Sequence, residues 1–543
     1  MKTFTVEGTI VLPVEGRIIR GEVEVKDGRV SRITEKHTTS EQLIMPGLVD
    51  AHVHVESSML VPSEFARAAV VHGTTATVSD PHEIANVLGM EGIEFMIANG
   101  AQTPFRFYFG APSCVPATPL ESSGAVLGAP EVKQLLEKPE VFYLAEMMNF
   151  PGVIHGDAVV MQKLAHARAM NKPVDGHAPG LRGDDLKKYV AAGITTDHEC
   201  FSLDEAREKV SLGMKILIRE GSAARNFEDL LPLLREYPDR VMFCSDDKHP
   251  DDLLKGHMNL LIRRGVKLGY PLMDLVRACT LNPVLHYGLE CGLLRVGDPA
   301  DFIIIDHPEQ FSVAETYISG EVVARNGEAL IPPVPVECPN RFEALPCLPA
   351  DFRVEALSTK VKVIGAEDGQ LVTHALVREL PARDGELLCD TTRDVLKLVV
   401  INRYHSAPPA VGFIHGFGIS EGALASTVAH DSHNIIAVGT DDRWISEAVN
   451  MIVANKGGLS AVSPVGKEIL PLPVAGIMAD LDIFTVAEKY QRIDALAKRM
   501  GASLAAPFMT LSFMALLVIP ELKLGDKGLF DGNHFTFTDI FIK

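Results

Sequence analysis

Between about residues 45 and 288, short apolar runs alternate with stretches of helical periodicity, and no other feature limits the fold of this chain so tightly. The runs 76–79, 105–109, 141–144, 216–218 and 241–243 are short and apolar enough to be buried strands. Strands that alternate with helices build parallel βαβ units. About eight strand candidates in about 240 residues predict a (β/α)8 barrel of the TIM type in preference to an open doubly wound sheet.

The barrel candidate, 45–288, has β-rich flanks. Residues 1–44 read as short strands broken by turns such as Lys26-Asp27-Gly28, and so small a piece cannot bury a core of its own. The same pattern returns in 289–331, at Asp301-Phe-Ile-Ile-Ile-Asp306 and Tyr317-Ile-Ser-Gly-Glu-Val-Val-Ala324. The two flanks are therefore expected to pair into one small β-sandwich domain. From Pro332 to Pro349 six prolines fall in eighteen residues, which predicts a stiff, extended linker. Beyond it, 350–543 mixes a strand candidate at 360–364 with a helix candidate at 486–492, the pattern of a C-terminal α/β domain.

Charge narrows the partners. The chain carries 71 acidic and 51 basic side chains, a formal net charge of −20, with no long basic block to meet a phosphate backbone or an anionic membrane. The first residues lack a signal-peptide core, and the longest apolar run, around 513–519, is too short to span a bilayer, so a cytoplasmic location is expected. Eight cysteines without a CxxC pair fit reduced thiols better than a disulfide framework.

The chemistry begins at His52 and His54. Side chains two apart on a strand point the same way, so this pair can reach one ion. Two alternating histidines are weak evidence alone, but further candidates follow later apolar runs: Glu146 after Phe142-Tyr-Leu-Ala, His177 after Val174-Asp-Gly, His198 after Ile194-Thr-Thr-Asp, and Asp246 after Val241-Met-Phe-Cys-Ser. The C-terminal strand ends of a barrel converge on one mouth, which would gather these residues. Imidazoles and carboxylates are the ligands of a hydrolytic metal pair.

The string Met45-Pro-Gly-Leu-Val-Asp-Ala-His-Val-His54, with His177, His198 and Ser245-Asp246, resembles the metal-binding signature of the amidohydrolase superfamily. Three longer strings, His52-Val-His-Val-Glu-Ser-Ser-Met-Leu60, His72 to Gly89 and Val428-Ala-His-Asp-Ser-His-Asn-Ile-Ile436, resemble the bacterial adenine deaminases within it, and the likeness runs through the third domain. The resemblance implies two divalent ions, Mn2+ or Fe2+ with Zn2+ as an alternative, held by His52, His54, His177, His198 and Asp246 and bridged by Glu146. It implies hydrolytic deamination of adenine to hypoxanthine and ammonia in purine salvage or catabolism, a small-molecule purine substrate and a homo-oligomer. Hydantoinases and dihydroorotases use a carbamylated lysine where Glu146 stands, which lowers the alternative of an amidohydrolase acting on a cyclic amide or N-acyl molecule. A non-catalytic barrel scaffold is the remaining rival.

On this reading Asp246 takes the proton of the attacking water and passes it towards the leaving ammonia, while Glu83 is the leading candidate to protonate the ring. Glu56 and Glu199 compete for that role. Asp80 and His82 could hold substrate or support the ligands, or Asp80 could cap a helix that starts with Pro81. His430-Asp431-Ser-His433 reads as a domain contact or polar helix end, or as a second metal site or a reach over the barrel mouth. Gly418-Ile-Ser-Glu-Gly422 matches the nucleophile elbow of α/β-hydrolases and makes Ser420 a weak rival nucleophile.

Overall fold

A computed structural model describes residues 3–222, 224–307 and 310–542. Eight parallel strands form its centre: β1 (Leu48–Val53), β2 (Thr74–Ser79), β3 (Arg106–Ala111), β4 (Val141–Met147), β5 (Val174–Gly176), β6 (Thr196–Asp197), β7 (Lys215–Arg219) and β8 (Val241–Cys244). Strand pairing is continuous from β1 to β5 and from β6 to β8. Backbone hydrogen bonds close both seams, Thr195 N to Val174 O at 2.9 Å between β5 and β6, and Asp246 N to His52 O at 3.0 Å between β8 and β1. The barrel interior is filled by Val49, Ala76, Tyr143, Leu217 and Met242, all fully buried, so it is a packed core and not a pore.

The flanking segments do pair. Leu43–Pro46 lies antiparallel to the strand Phe302–His307, with Ile44 opposite Ile304. Through that pairing strands from both flanks join one continuous eight-stranded sheet. The expected β-sandwich thus takes the form of a single sheet curled over Ile10, Val23, Phe302 and Tyr317, and its two wings meet where Gly28 O accepts from Ala300 N at 2.9 Å. Gly28 has φ +79°, and a Cβ there would sit 2.7 Å from Ser319 O, so this turn needs glycine.

The proline-rich stretch has no regular structure up to the short helical turn Pro349–Phe352. It runs along the C-terminal domain, bonding through Glu343 N to Arg403 O at 2.7 Å and accepting at Pro339 O from Ala475 N at 2.7 Å. That domain is a second eight-stranded sheet, antiparallel except where Ile364 pairs with Ile414. Asp442–Asn455 covers one of its faces, burying Trp444, Ile445, Ala448 and Val449 with the small cluster that includes Val399 and Ala437. The opposite face shares one large apolar cluster with the helix Ile483–Arg499, the helix Pro507–Phe513 and barrel residues such as Phe65 and Ile84. This continuous core places the C-terminal domain on the barrel mouth. Among the described residues no helix is long and apolar enough to cross a membrane.

Candidate metal centre

Each of the six ligand candidates sits at or just past the C-terminal end of a barrel strand. His52 is the last residue but one of β1 and His54 follows the strand; Glu146 is the last but one of β4; His177, His198 and Asp246 follow β5, β6 and β8. Asp246 adopts φ +55°, a left-handed conformation that aspartate tolerates and that turns its carboxylate over the mouth.

The six converge. His52 Nε2 and His54 Nε2 face each other at 3.2 Å, and Asp246 Oδ1 lies 3.5 and 3.1 Å from them. Glu146 divides its oxygens: Oε1 is 3.3 Å from His54 Nε2, while Oε2 is 2.7 Å from His177 Nδ1 and 3.3 Å from His198 Nε2. Ligands about 2.1 Å from one ion stand roughly 3 to 3.5 Å apart, so this spacing fits divalent cations. Four imidazoles and two carboxylates gathered at this spacing form the nitrogen and oxygen donor set of a hydrolytic cation site.

The surroundings keep the anions ionised. Burial pushes the Glu146 carboxyl up, but His177, His198 and His54 hold it well below the usual range. Burial likewise opposes ionisation of Asp246, and the Arg219 guanidinium at 2.7 Å from Oδ2, with His52 and His54, overrides it. Burial and His82 work against a proton on His54, yet Asp246 and Glu146 raise its pKa well above that of free imidazole.

The remaining candidates form a ring around these six. His82 places Nδ1 3.4 Å from Glu146 Oε1 and 3.2 Å from Asp80 Oδ2. The helix His82–Leu88 starts from Pro81 without a side-chain cap, so Asp80 supports His82 and is not the helix cap of the alternative reading. The Asp80 carbonyl also lies 3.1 Å from His54 Nδ1, fixing that ring. Glu199 pairs with Arg219 through both oxygens. Glu56 accepts from Ile84 N at 3.2 Å, and burial pushes its carboxyl up to about 7. Glu83 is held by His430 Nδ1 at 2.5 Å and by His433 Nε2. The segment 430–433 therefore reaches over the barrel mouth. Ser420 donates to Met500 O at 2.9 Å, within the C-terminal domain and apart from this cluster.

Several contributors escape a reading of the sequence. Arg219 ends β7 after the run 216–218, the same kind of position that marks Glu146, but an arginine there reads as solvated. Asp197 and Lys209, 3.0 Å apart and fully buried, brace the loops that carry His177 and His198, Asp197 accepting from Ala178 N at 3.1 Å and Glu199 N at 2.7 Å. Asp50 accepts from Ser245 N at 3.0 Å and lies 2.9 Å from His257 Nε2, tying β1 to the Asp246 loop.

Above the cluster lies a cavity of about 30 Å³ that includes His82, Glu146 and Asp246 in its wall. Leu371, Asp431, Phe513, Leu516 and Ile519 of the C-terminal domain roof it. A larger cavity of about 540 Å³ shares Glu199, Arg219, Leu371 and Ile519 with it.

A closed parallel barrel that gathers four histidines and two carboxylates at its mouth defines a metal-dependent hydrolase, and residues 43–323 match the amidohydrolase family. Residues 370–536 match the adenine deaminase C-terminal domain. An adenine deaminase of Salinibacter ruber is 55% identical over 543 residues, covering 99% of each chain, and one of Sulfurovum sp. is 54% identical, covering 96% of this chain and 97% of the relative. The chain belongs to the adenine deaminase family. Among solved structures, N-acetyl-D-glucosamine-6-phosphate deacetylase of Mycobacterium smegmatis matches 59% of this chain and 100% of its own, at 17% identity and a TM-score of 0.47.

Proposed function

We propose that this chain hydrolyses adenine to hypoxanthine and ammonia, in purine salvage or catabolism, with His52, His54, His177, His198 and Asp246 as ligands of two divalent ions and Glu146 shared between them. One observation carries the reading: the two oxygens of Glu146 face different histidines, Oε1 towards His54 and Oε2 towards His177 and His198. The names of the relatives supply the substrate. Nitrogen and carboxylate donors without thiolate suit Mn2+ or Fe2+, and also admit Zn2+.

Two such ions supply water acidic enough to yield hydroxide near neutral pH. The residues do the rest. Asp246 takes the proton of the attacking water and delivers it to the departing amine, one carboxylate serving as base and then acid. Arg219, on its other oxygen, fixes its orientation. Glu83, an anion here, acts at the ring nitrogen through His82, whose Nε2 is 3.3 Å from Glu83 Oε1 and whose ring lines the cavity. Burial opposes a proton on His82, yet Asp80 and Glu83 raise its pKa well above that of free imidazole. Phe513, Leu516 and Ile519 supply an apolar wall for a flat face of the base, and the cavity of about 30 Å³ has to widen to admit one. Family likeness also supports a cytoplasmic location and a homo-oligomer.

The test is ammonia release from adenine by manganese-loaded protein, metal-free protein and Asp246→Asn. Release by the loaded wild type alone is the expected result. Loaded protein that leaves adenine intact but opens a hydantoin would instead make it a cyclic-amide hydrolase.

A further inference from the structure

Most carboxylates around the small cavity are already engaged. Glu83 is held by His430 and His433, Glu199 by Arg219, Asp246 by His54 and Arg219, and Glu146 by its histidines. Asp431 differs. It lies in the cavity wall, is 3% exposed, and its Oδ2 is buried without a hydrogen-bond partner. Its nearest cationic neighbour is His82 Nε2, 3.9 Å from Oδ1. A buried carboxylate oxygen without a donor is costly, so one is retained where a ligand brings the donor.

The position of Asp431 says which donor. His82 spans the gap between Glu146 and Asp431, with Nδ1 3.4 Å from Glu146 Oε1 and Nε2 3.9 Å from Asp431 Oδ1. One imidazole ring therefore separates Asp431 from the reaction centre. A purine with its C6 over the metal ligands extends its own five-membered ring across a comparable breadth. Phe513 lies parallel to the neighbouring His430 ring, at 4.5 Å and 13°, and with Leu516 and Ile519 it lines the same cavity, an apolar wall that suits a planar heterocycle. The five-membered ring of neutral adenine carries one N–H. In a nucleoside that hydrogen is replaced by a sugar.

Resting on the adenine reading above, we propose that Asp431 accepts the N–H of the five-membered ring of adenine. The C-terminal domain thereby selects the free base against N-substituted purines. A buried acceptor left unpaired is the device by which a site rejects an analogue lacking the donor, on the order of 10⁴-fold where the group is fully enclosed.

The experiment compares kcat/KM for adenine and 9-methyladenine in wild type, Asp431→Leu and Asp431→Ser, with bound metal and melting temperature measured for each. Leucine branches at Cγ as aspartate does but carries no acceptor, so the bulk of the methyl group meets a similar shape in wild type and Asp431→Leu, and a change in the ratio isolates the hydrogen bond. Wild type should prefer adenine by on the order of 10³ or more, and the variants should cut that preference at least about tenfold with metal content intact. Equal turnover of both substrates by wild type overturns the proposal without any variant being needed. An unchanged ratio in folded variants overturns it too, as does loss of bound metal, which would make Asp431 a cation ligand. Wild type inert towards adenine would instead sink the functional reading itself.

Discussion

Nδ1 of His430, in the C-terminal domain, lies 2.5 Å from Oε1 of Glu83 at the barrel mouth, and His433 takes the other oxygen of the same carboxylate. Three fully enclosed groups from two domains thus form one clamp. Burial raises the Glu83 carboxyl while His430, His433 and His82 hold it well below the usual range, so it is an anion that needs both partners. Burial lowers the pKa of His433 itself, so His433→Ala removes a neutral donor from one oxygen of this buried anion, at a cost of about 3 kcal/mol. The urea midpoint should fall accordingly and kcat/KM for adenine should fall with it. An unchanged midpoint would mean that the clamp contributes nothing to docking of the two domains.

Arg219 neutralises Glu199 and Asp246 together in a buried setting. Arg219→Met keeps the bulk of the side chain but leaves two facing anions, which should cost about 3 to 5 kcal/mol of stability. The effect on turnover should exceed the effect on metal binding, because Asp246 loses its orientation while the ligand set remains. Metal analysis beside steady-state kinetics separates the two, and equal losses would place Arg219 in metal binding alone.

The legible part of this site was the part that a strand encodes locally. His52 and His54 share a side by the two-residue period of β1, and Glu146, His177, His198 and Asp246 each follow an apolar run short enough to be a buried strand. Arg219 follows such a run equally well, but its residue type does not announce a ligand, and its role depends on meeting Glu199 and Asp246 from other strands. The clamp on Glu83 spans 347 residues, and no local pattern encodes a contact made only when two domains dock. The curled single sheet was hidden for a similar reason: period-two alternation identifies strands without saying which edges meet.

Removing the shared carboxylate tests the metal assignment. Glu146→Ala takes away the group that faces both sets of histidines, so bound metal should fall from two ions per chain and deaminase activity should drop by more than about 10³-fold. Chelation of the wild type should abolish activity, and added Mn2+ should restore it. Full metal content in Glu146→Ala would disprove the sharing.

Ser420 gives the opposite forecast. Its hydroxyl is committed to Met500 O, and among the described residues no histidine bonds to it, so it lacks the base that a nucleophilic serine requires. Ser420→Ala should keep kcat/KM within about twofold and move stability by less than about 1 kcal/mol. A large loss of turnover with normal metal content would reopen the serine-hydrolase reading.

Lys523 is fully buried and donates to Leu371 O at 2.7 Å and Phe513 O at 3.0 Å, the backbone of two residues that roof the metal cavity. Burial lowers its pKa from 10.5 to about 7. Between those values the unfolded chain binds a proton that the folded chain does not, so stability rises with pH across the window, by at most about 1.4 kcal/mol per pH unit. Below about pH 7 both states are protonated and the full cost of burying the ammonium is borne. Lys523→Met removes this dependence. Urea unfolding at pH 7 and pH 9 should therefore show wild type gaining up to about 2 kcal/mol more than the variant on going to the higher pH. Because the same amine fixes the roof, the variant should also raise KM for adenine, whereas identical pH slopes in the two proteins would mean that Lys523 stays charged inside the fold.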